Sequence, residues 1–215
     1  MNQKTPKKTQ PGNILSSASA RLKQTDRKES IIHAAWRLVA ASGLTAVTIR
    51  SIANEIASTT GAVMHHFATK EEVVEEMIDR LYSGLRATYS AALKNASDEE
   101  RLEKMLLATL PTKPKTAFGW KLSVALQGEV LRSKRIASLH NVHYQQFESD
   151  VRAELRRLQN AGALSVDADL KMISSQLLVV IDGIGTQFVL RPAVMTSRVQ
   201  RLLLQQQLSS IRMPE

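Results

Sequence analysis

The side chains in this 215-residue chain with the most chemistry to offer are two pairs of histidines, each set among hydroxyls and cations. His65 and His66 are adjacent, with Thr59, Thr60 and Lys70 close by in sequence. Neighbouring positions on a helix point about 100° apart, whereas shared metal ligation wants i, i+3 or i, i+4 spacing. Neither a cysteine nor a close carboxylate completes a ligand set, so donation to anions is expected here rather than metal binding. His140 and His143 do have i, i+3 spacing and could ligate a metal with help from elsewhere, but a place in a core or on a surface is the commoner role of such a pair. No Ser/His/Asp order, HExxH or glycine-rich phosphate loop is present, so no enzymatic activity, cofactor or metal is expected.

Something must position these groups, and the pattern around them is helical throughout. Asp26 with Glu29 has capping-box spacing, and Ile32, Ala35, Trp36 and Val39 follow with helical period up to Gly43. Thr48 can cap a two-turn helix that buries Ile49, Ile52, Ala53 and Ile56. Ala57, Ser58 and Thr59 connect it to a third helix predicted to run through Phe67. Thr69 and Glu72 open a long helix with a seam of Val74, Met77, Ile78, Leu81, Leu85 and Tyr89. Beyond it, helices are predicted from Ser97 to Leu110, then near 116–132, 136–160, 167–190 and 197–212, punctuated by Pro111, Pro114, Gly162 and Pro192. The fold class is all-α, about nine helices.

On the third helix Val63 and Phe67 share one face, which must be buried. The opposite side carries Gly61, Ala62 and His65, with Thr60 at the exposed start and Met64 on a flank. Small residues there let a helix backbone approach a large partner closely. Helix, short turn and a second helix presenting a flat outer face is the helix-turn-helix arrangement, whose second helix enters the DNA major groove. Donors at His65, His66, Lys70 and the Thr48 hydroxyl suit phosphates.

Here the sequence resembles the DNA-binding domain of TetR-family transcriptional regulators. The matching residues are Gly43 before LTAVTIRSIA, Ile52 and Ala53, Gly61, HHF at 65–67 and TKEE at 69–72. That resemblance implies a three-helix DNA-binding domain, a larger helical effector-binding and dimerisation domain, and a homodimer on a palindromic double-stranded operator, a repressor released by a small molecule. It puts Thr60, Ala62 and Met64 or His65 near base edges, with Thr48, Arg50, Thr59, Gly61, His66 and Lys70 completing the DNA face. Two departures stand out: the family has glycine in the turn where this chain has Ala57, and tyrosine at the place of Met64. A ligand-binding or adaptor module that kept the fold and lost operator binding is the alternative they raise.

From Trp120 onward, with LLVVIDGIGTQFVL at 177–190, the chain looks like the TetR subgroup of choline-responsive regulators of betaine synthesis, in which the last two helices build a four-helix dimer bundle. Leu177, Val180, Ile184, Leu202 and Leu203 are the candidate interface residues. Gly183 and Gly185 inside that helix suggest a close backbone approach. Candidates for an effector pocket are Met105, Phe118, Trp120, Leu122, His140, His143, Tyr144, Phe147 and Gln176. An aromatic content of 4% argues against an aromatic cage for a quaternary ammonium ligand.

Composition sets the outer limits. Hydrophobic residues at 43% can build a core, and no run of about 18 uninterrupted apolar residues or signal-peptide stretch occurs. With no cysteines as well, a cytoplasmic protein without a membrane partner is expected, associated with the nucleoid when on DNA. Of the net charge of +9, a surplus of six falls within the first 28 residues. That segment, with its proline, glycine and serine, reads as a basic disordered arm over 1–24, ahead of a DNA-binding domain at 25–72 and an effector and dimerisation domain at 73–215.

Overall fold

A computed structural model of the chain describes residues 12–211, with side-chain surroundings from residue 26 onward; residues 1–11 of the expected arm lie outside the described residues. The described chain is all-α, with no strand: α1 (Gly12–Ser42), a 3-10 turn (Leu44–Ala46), α2 (Ile49–Glu55), α3 (Thr60–Met64), α4 (Lys70–Leu93), α5 (Arg101–Thr109), α6 (Pro114–Arg132), α7 (Lys134–Asn160), α8 (Leu170–Leu190) and α9 (Ser197–Ile211).

The first helix is longer than predicted. Asp26 does not cap it but lies inside it, its carbonyl accepting the Ser30 hydroxyl at 2.8 Å. Between Asn13 and Gln24 there is no proline or glycine to stop a helix, and Leu15, Ala18, Ala20, Arg21 and Leu22 are strong helix formers. The third helix is shorter than predicted, with His65 as its C-cap. Other boundaries follow the residues that close them. Thr48 and Ser51 exchange bonds across the start of α2. Thr69 Oγ1 accepts the Glu72 amide at 3.2 Å while Glu72 Oε2 accepts the Ala68 amide at 2.7 Å. Pro114 occupies the first turn of α6, where its missing N–H costs nothing. Asp169 caps α8 by accepting from Lys171 and Met172.

Two apolar clusters hold the helices. The first joins Ile31, Ile32, Ala35, Ile52, Val63, Phe67, Met77 and Ile78 to Leu122, Leu126 and Ile136, so α1–α4 share a core with α6 and α7. The second gathers Leu102, Met105, Leu106, Leu110, Val151, Leu155, Leu177, Ile181 and Leu204 from α5, α7, α8 and α9. Each fully buried aliphatic side chain contributes about 1.5–3 kcal/mol relative to exposure. Helix α8 is apolar and long enough to cross a membrane by length and composition alone. It packs against α6, α7 and α9 and carries Asp182, which accepts a hydrogen bond from Tyr144 of α7.

Candidate nucleic-acid interface and ligand cavity

The turn between α2 and α3 is closed by two reverse bonds, Ser58 N–H to the Ala53 carbonyl at 2.8 Å and Ala57 N–H to the Asn54 carbonyl at 3.1 Å. This is a Schellman motif, whose penultimate position takes the left-handed conformation. Ala57 adopts it with φ +49°. Ala57, where the family has glycine, thus occupies a backbone region that L-residues disfavour.

Beyond the turn, Val63 and Phe67 are buried in the first cluster and fix the roll of α3. Thr60, Gly61, Met64 and His65 are exposed, and Ala62 is half-buried. A Cβ on Gly61 would meet only Thr59 Oγ1, at 3.9 Å, so that side is open to the backbone. Thr59 is committed as N-cap, its hydroxyl accepting the Ala62 amide at 3.1 Å. Thr48 and Arg50 are exposed at the start of α2.

Two of the predicted donors are less free than the sequence suggests. Lys70 Nζ donates to the Leu44 carbonyl at 3.1 Å, tying the first turn of α4 to the 3-10 turn. His66 is half-buried and its Nδ1 has no hydrogen-bond partner. Burial, with His65, Lys28 and Arg27 nearby, holds its imidazole below the usual histidine range. Lys28 and Arg27 of α1 thus add cations to this end of the molecule, a contribution the linear motif does not reveal.

A second site lies between α4, α6, α7 and α8, a cavity of about 480 Å³. Of the predicted pocket residues it brings together Phe118, Trp120, Leu122, His140, Tyr144 and Phe147. Three do not reach it: Met105 is packed inside the second cluster, Gln176 is exposed on the outer side of α8, and His143 is held by Asp79 at 2.6 Å and stacked on Tyr82. Sequence periodicity assigns a face only within one helix, and these three face away once the helices are packed. Trp36 of α1, Arg80 and Tyr82 of α4, and Asp182 of α8 line the cavity and were not anticipated.

Six of the nine aromatic residues, Trp36, Tyr82, Phe118, Trp120, Tyr144 and Phe147, surround this one space. A low overall aromatic content of 4% thus does not keep the rings from converging on one cavity, contrary to expectation. Tyr144 donates to Asp182 Oδ2 at 2.7 Å. Burial pushes the Asp182 carboxyl up from its ordinary value, opposed by that bond and by His140. Burial also pushes the Tyr82 and Tyr144 phenols up and His140 down, so the phenols and the imidazole stay neutral near pH 7. Arg80 places its guanidinium between Glu29 of α1 and Glu76, linking the cavity wall to the first helix.

The predicted interface residues divide. Leu177 and Ile184 are buried within the protomer, whereas Leu202 and Leu203 are 54% and 40% exposed and Val180 is half-buried. With Val179, 69% exposed, they leave an apolar face on α8 and α9. Of the two glycines, Gly185 meets a close neighbour and Gly183 has open space around it.

Comparison with known proteins bears on the family of the chain. The family model described as bacterial regulatory proteins, tetR family, matches residues 31–77, and that of the BetI-type transcriptional repressor, C-terminal, matches residues 98–212. The regulator BetI of Rhizobium meliloti is 26% identical over 171 residues, 78% of this chain and 80% of that protein. The regulator PksA of Bacillus subtilis is 24% identical over 188 residues, 83% of this chain and 87% of that one. A transcriptional regulator from Saccharomonospora viridis, solved in complex with choline, superposes with a TM-score of 0.81 at 24% identity, covering 88% of this chain and all of its own.

Proposed function

The chain belongs to the TetR family of bacterial transcriptional regulators, and we propose that it works in the cytoplasm as a homodimeric repressor that leaves its operator when a small organic molecule enters the cavity. The observation that carries DNA recognition is the outer side of α3: Thr60, Gly61, Met64 and His65 are exposed while Val63 and Phe67 anchor it from within. In this reading residues 25–72 form the DNA-binding unit and residues from 73 onward the effector and dimerisation unit. Thr60, Gly61, Ala62, Met64 and His65 meet base edges or approach them. Thr48, Arg50, Thr59 and His66 meet phosphates, and Lys70 does so with the two N–H bonds left over from its tie to Leu44. No reaction is assigned to the chain.

The effector reading rests on the cavity walls. Ten or so apolar and aromatic side chains would accept an apolar body, and Asp182 supplies one acidic end. Organic cations, which suit both a half-buried carboxylate and aromatic faces, are the first ligands to screen. Release follows from which helices the ligand would touch. Trp36 belongs to α1, and Leu81, Tyr82 and Leu85 belong to α4, whose first turn is tied to the DNA-binding unit. A ligand that binds the DNA-incompetent dimer better by a typical coupling of about 1–3 kcal/mol lowers operator affinity about 5- to 150-fold.

Selection of bound sites from random duplexes, followed by footprinting across a salt series, tests the central claim. Protection of two symmetric half-sites supports it. Diffuse protection that simply weakens with salt would instead leave a module of this fold without operator specificity.

A further inference from the structure

Met64 is 53% exposed, and from Asp26 to Val130 it is the one large apolar side chain left so open. We infer that Met64 is a specificity-determining residue that packs on the C5-methyl group of a thymine and selects T·A over C·G at one position of each half-site. The inference deepens the DNA-binding reading above and depends on it.

The geometry leaves Met64 little else to do. Val63 and Phe67, on either side of it in the sequence, point inward and fill the core, so Met64 is not a core residue displaced by a turn. It stands one turn beyond Thr60 and Gly61, and since a Cβ on Gly61 would meet nothing but Thr59 Oγ1, Met64 is the apolar side chain that projects from this side, next to the polar His65. Among residues 26–130 no second exposed large apolar residue accompanies it, and a protein interface needs a contiguous patch. A single apolar probe flanked by the Thr60 hydroxyl and the His65 imidazole matches a groove that is polar except for thymine methyls.

The side chain also restricts what can be read. A thioether is at most a weak acceptor, so it cannot sort bases by their donor and acceptor edges. In the major groove the one apolar group that distinguishes a base is the thymine methyl. Methionine is unbranched and polarizable and adjusts to such a contact without a fixed rotamer.

Deoxyuridine keeps every hydrogen-bonding group of thymine and lacks only the methyl, so it isolates the contact. Each thymine of a half-site selected from random DNA is replaced in turn, and the dissociation constant is measured for the full chain and for its Met64→Ala variant. At one thymine per half-site the replacement weakens the unaltered protein about fourfold, the fold-change of one methyl group returned to water. At that same thymine Met64→Ala is indifferent, and Met64→Leu, which keeps an apolar side chain, retains most of the discrimination. Thermal melts check that the variants remain folded, which the exposure of Met64 favours. Equal losses in both proteins at every thymine, or no loss in either, overturn the inference and leave operator binding standing. Failure to select any half-site overturns both.

Discussion

The indole of Trp120 lies against the backbone of Gly185, so that a Cβ built on this glycine would fall 2.2 Å from Trp120 Cε3. The same indole donates to the Thr109 carbonyl at 2.9 Å and walls the cavity, so one ring locks α5, α6 and α8 together. Gly185→Ala gains about 1 kcal/mol of helix propensity. Against that stand about 1–3 kcal/mol of overpacking and about 1 kcal/mol for the lost hydrogen bond. The expected result in denaturant melts is a net loss of about 1–3 kcal/mol, with a changed tryptophan emission. Gly183→Ala, with open space at its Cβ, is the control. Equal stability of the two variants would show that the indole yields freely.

Ala57 gives a prediction of the opposite sign. An L-residue in the left-handed region costs about 1–2 kcal/mol, and glycine recovers this while adding unfolded-state entropy. Ala57→Gly should stabilise the protein by about 0.5–1 kcal/mol, since the Schellman bonds to Ala53 and Asn54 need no change. Its thermal midpoint should rise by about 1–4 °C. A lower midpoint would mean the alanine methyl makes a contact worth more than the strain.

These two sites also show how far the sequence could be read. The helix-turn-helix was legible because its signals are local: caps at Thr48, Thr59 and Thr69, inward Val63 and Phe67, and a motif with fixed spacing. The departure at Ala57 was visible for the same reason, but its backbone conformation was not. The cavity was half legible. Phe118, Trp120, Tyr144 and Phe147 announce themselves as large rings on amphipathic helices, but which rings converge depends on helix crossing. Trp36 and Asp182 were missed because one is distant in sequence and the other interrupts an apolar run, where its partner, Tyr144, lies on another helix. The start of α1 was misjudged because capping-box spacing at Asp26 recurs by chance inside a longer helix.

Val179 and Leu203 test the dimer. Both are exposed on the α8 and α9 face, and a shallow groove between these helices is lined by Val180, Gly183, Gln187, Leu203 and Gln206. If the proposed homodimer pairs through this face, Val179→Glu with Leu203→Glu would set like charges across its two-fold axis without touching either core. Sedimentation should change from dimer to monomer at micromolar concentration while helical content is preserved. An unchanged dimer would move the interface elsewhere.

His66 and His140 predict that stability and operator affinity respond to pH in opposite directions. Both imidazoles are held below the ordinary value of about 6.5, His66 first by burial and then by His65, Lys28 and Arg27, His140 first by burial and then by His143 against the pull of Asp182. The unfolded chain therefore takes up these protons at higher pH than the folded one. Stability from this source is complete above 6.5 and is lost as pH falls from there toward the folded values. Asp182, whose folded value is raised, has the reverse sign, in a window that begins at 3.8 and runs up to its folded value. Denaturant midpoints should be lower at pH 6 than at pH 7.5, and His140→Gln should make that dependence shallower. In the proposed complex a phosphate beside His66 favours its charged form, so operator binding should take up protons and tighten over the same interval. Calorimetric titrations in buffers of different ionisation enthalpy read that uptake, and His66→Gln should reduce it. Proton release on binding would place the phosphates away from the His66 imidazole.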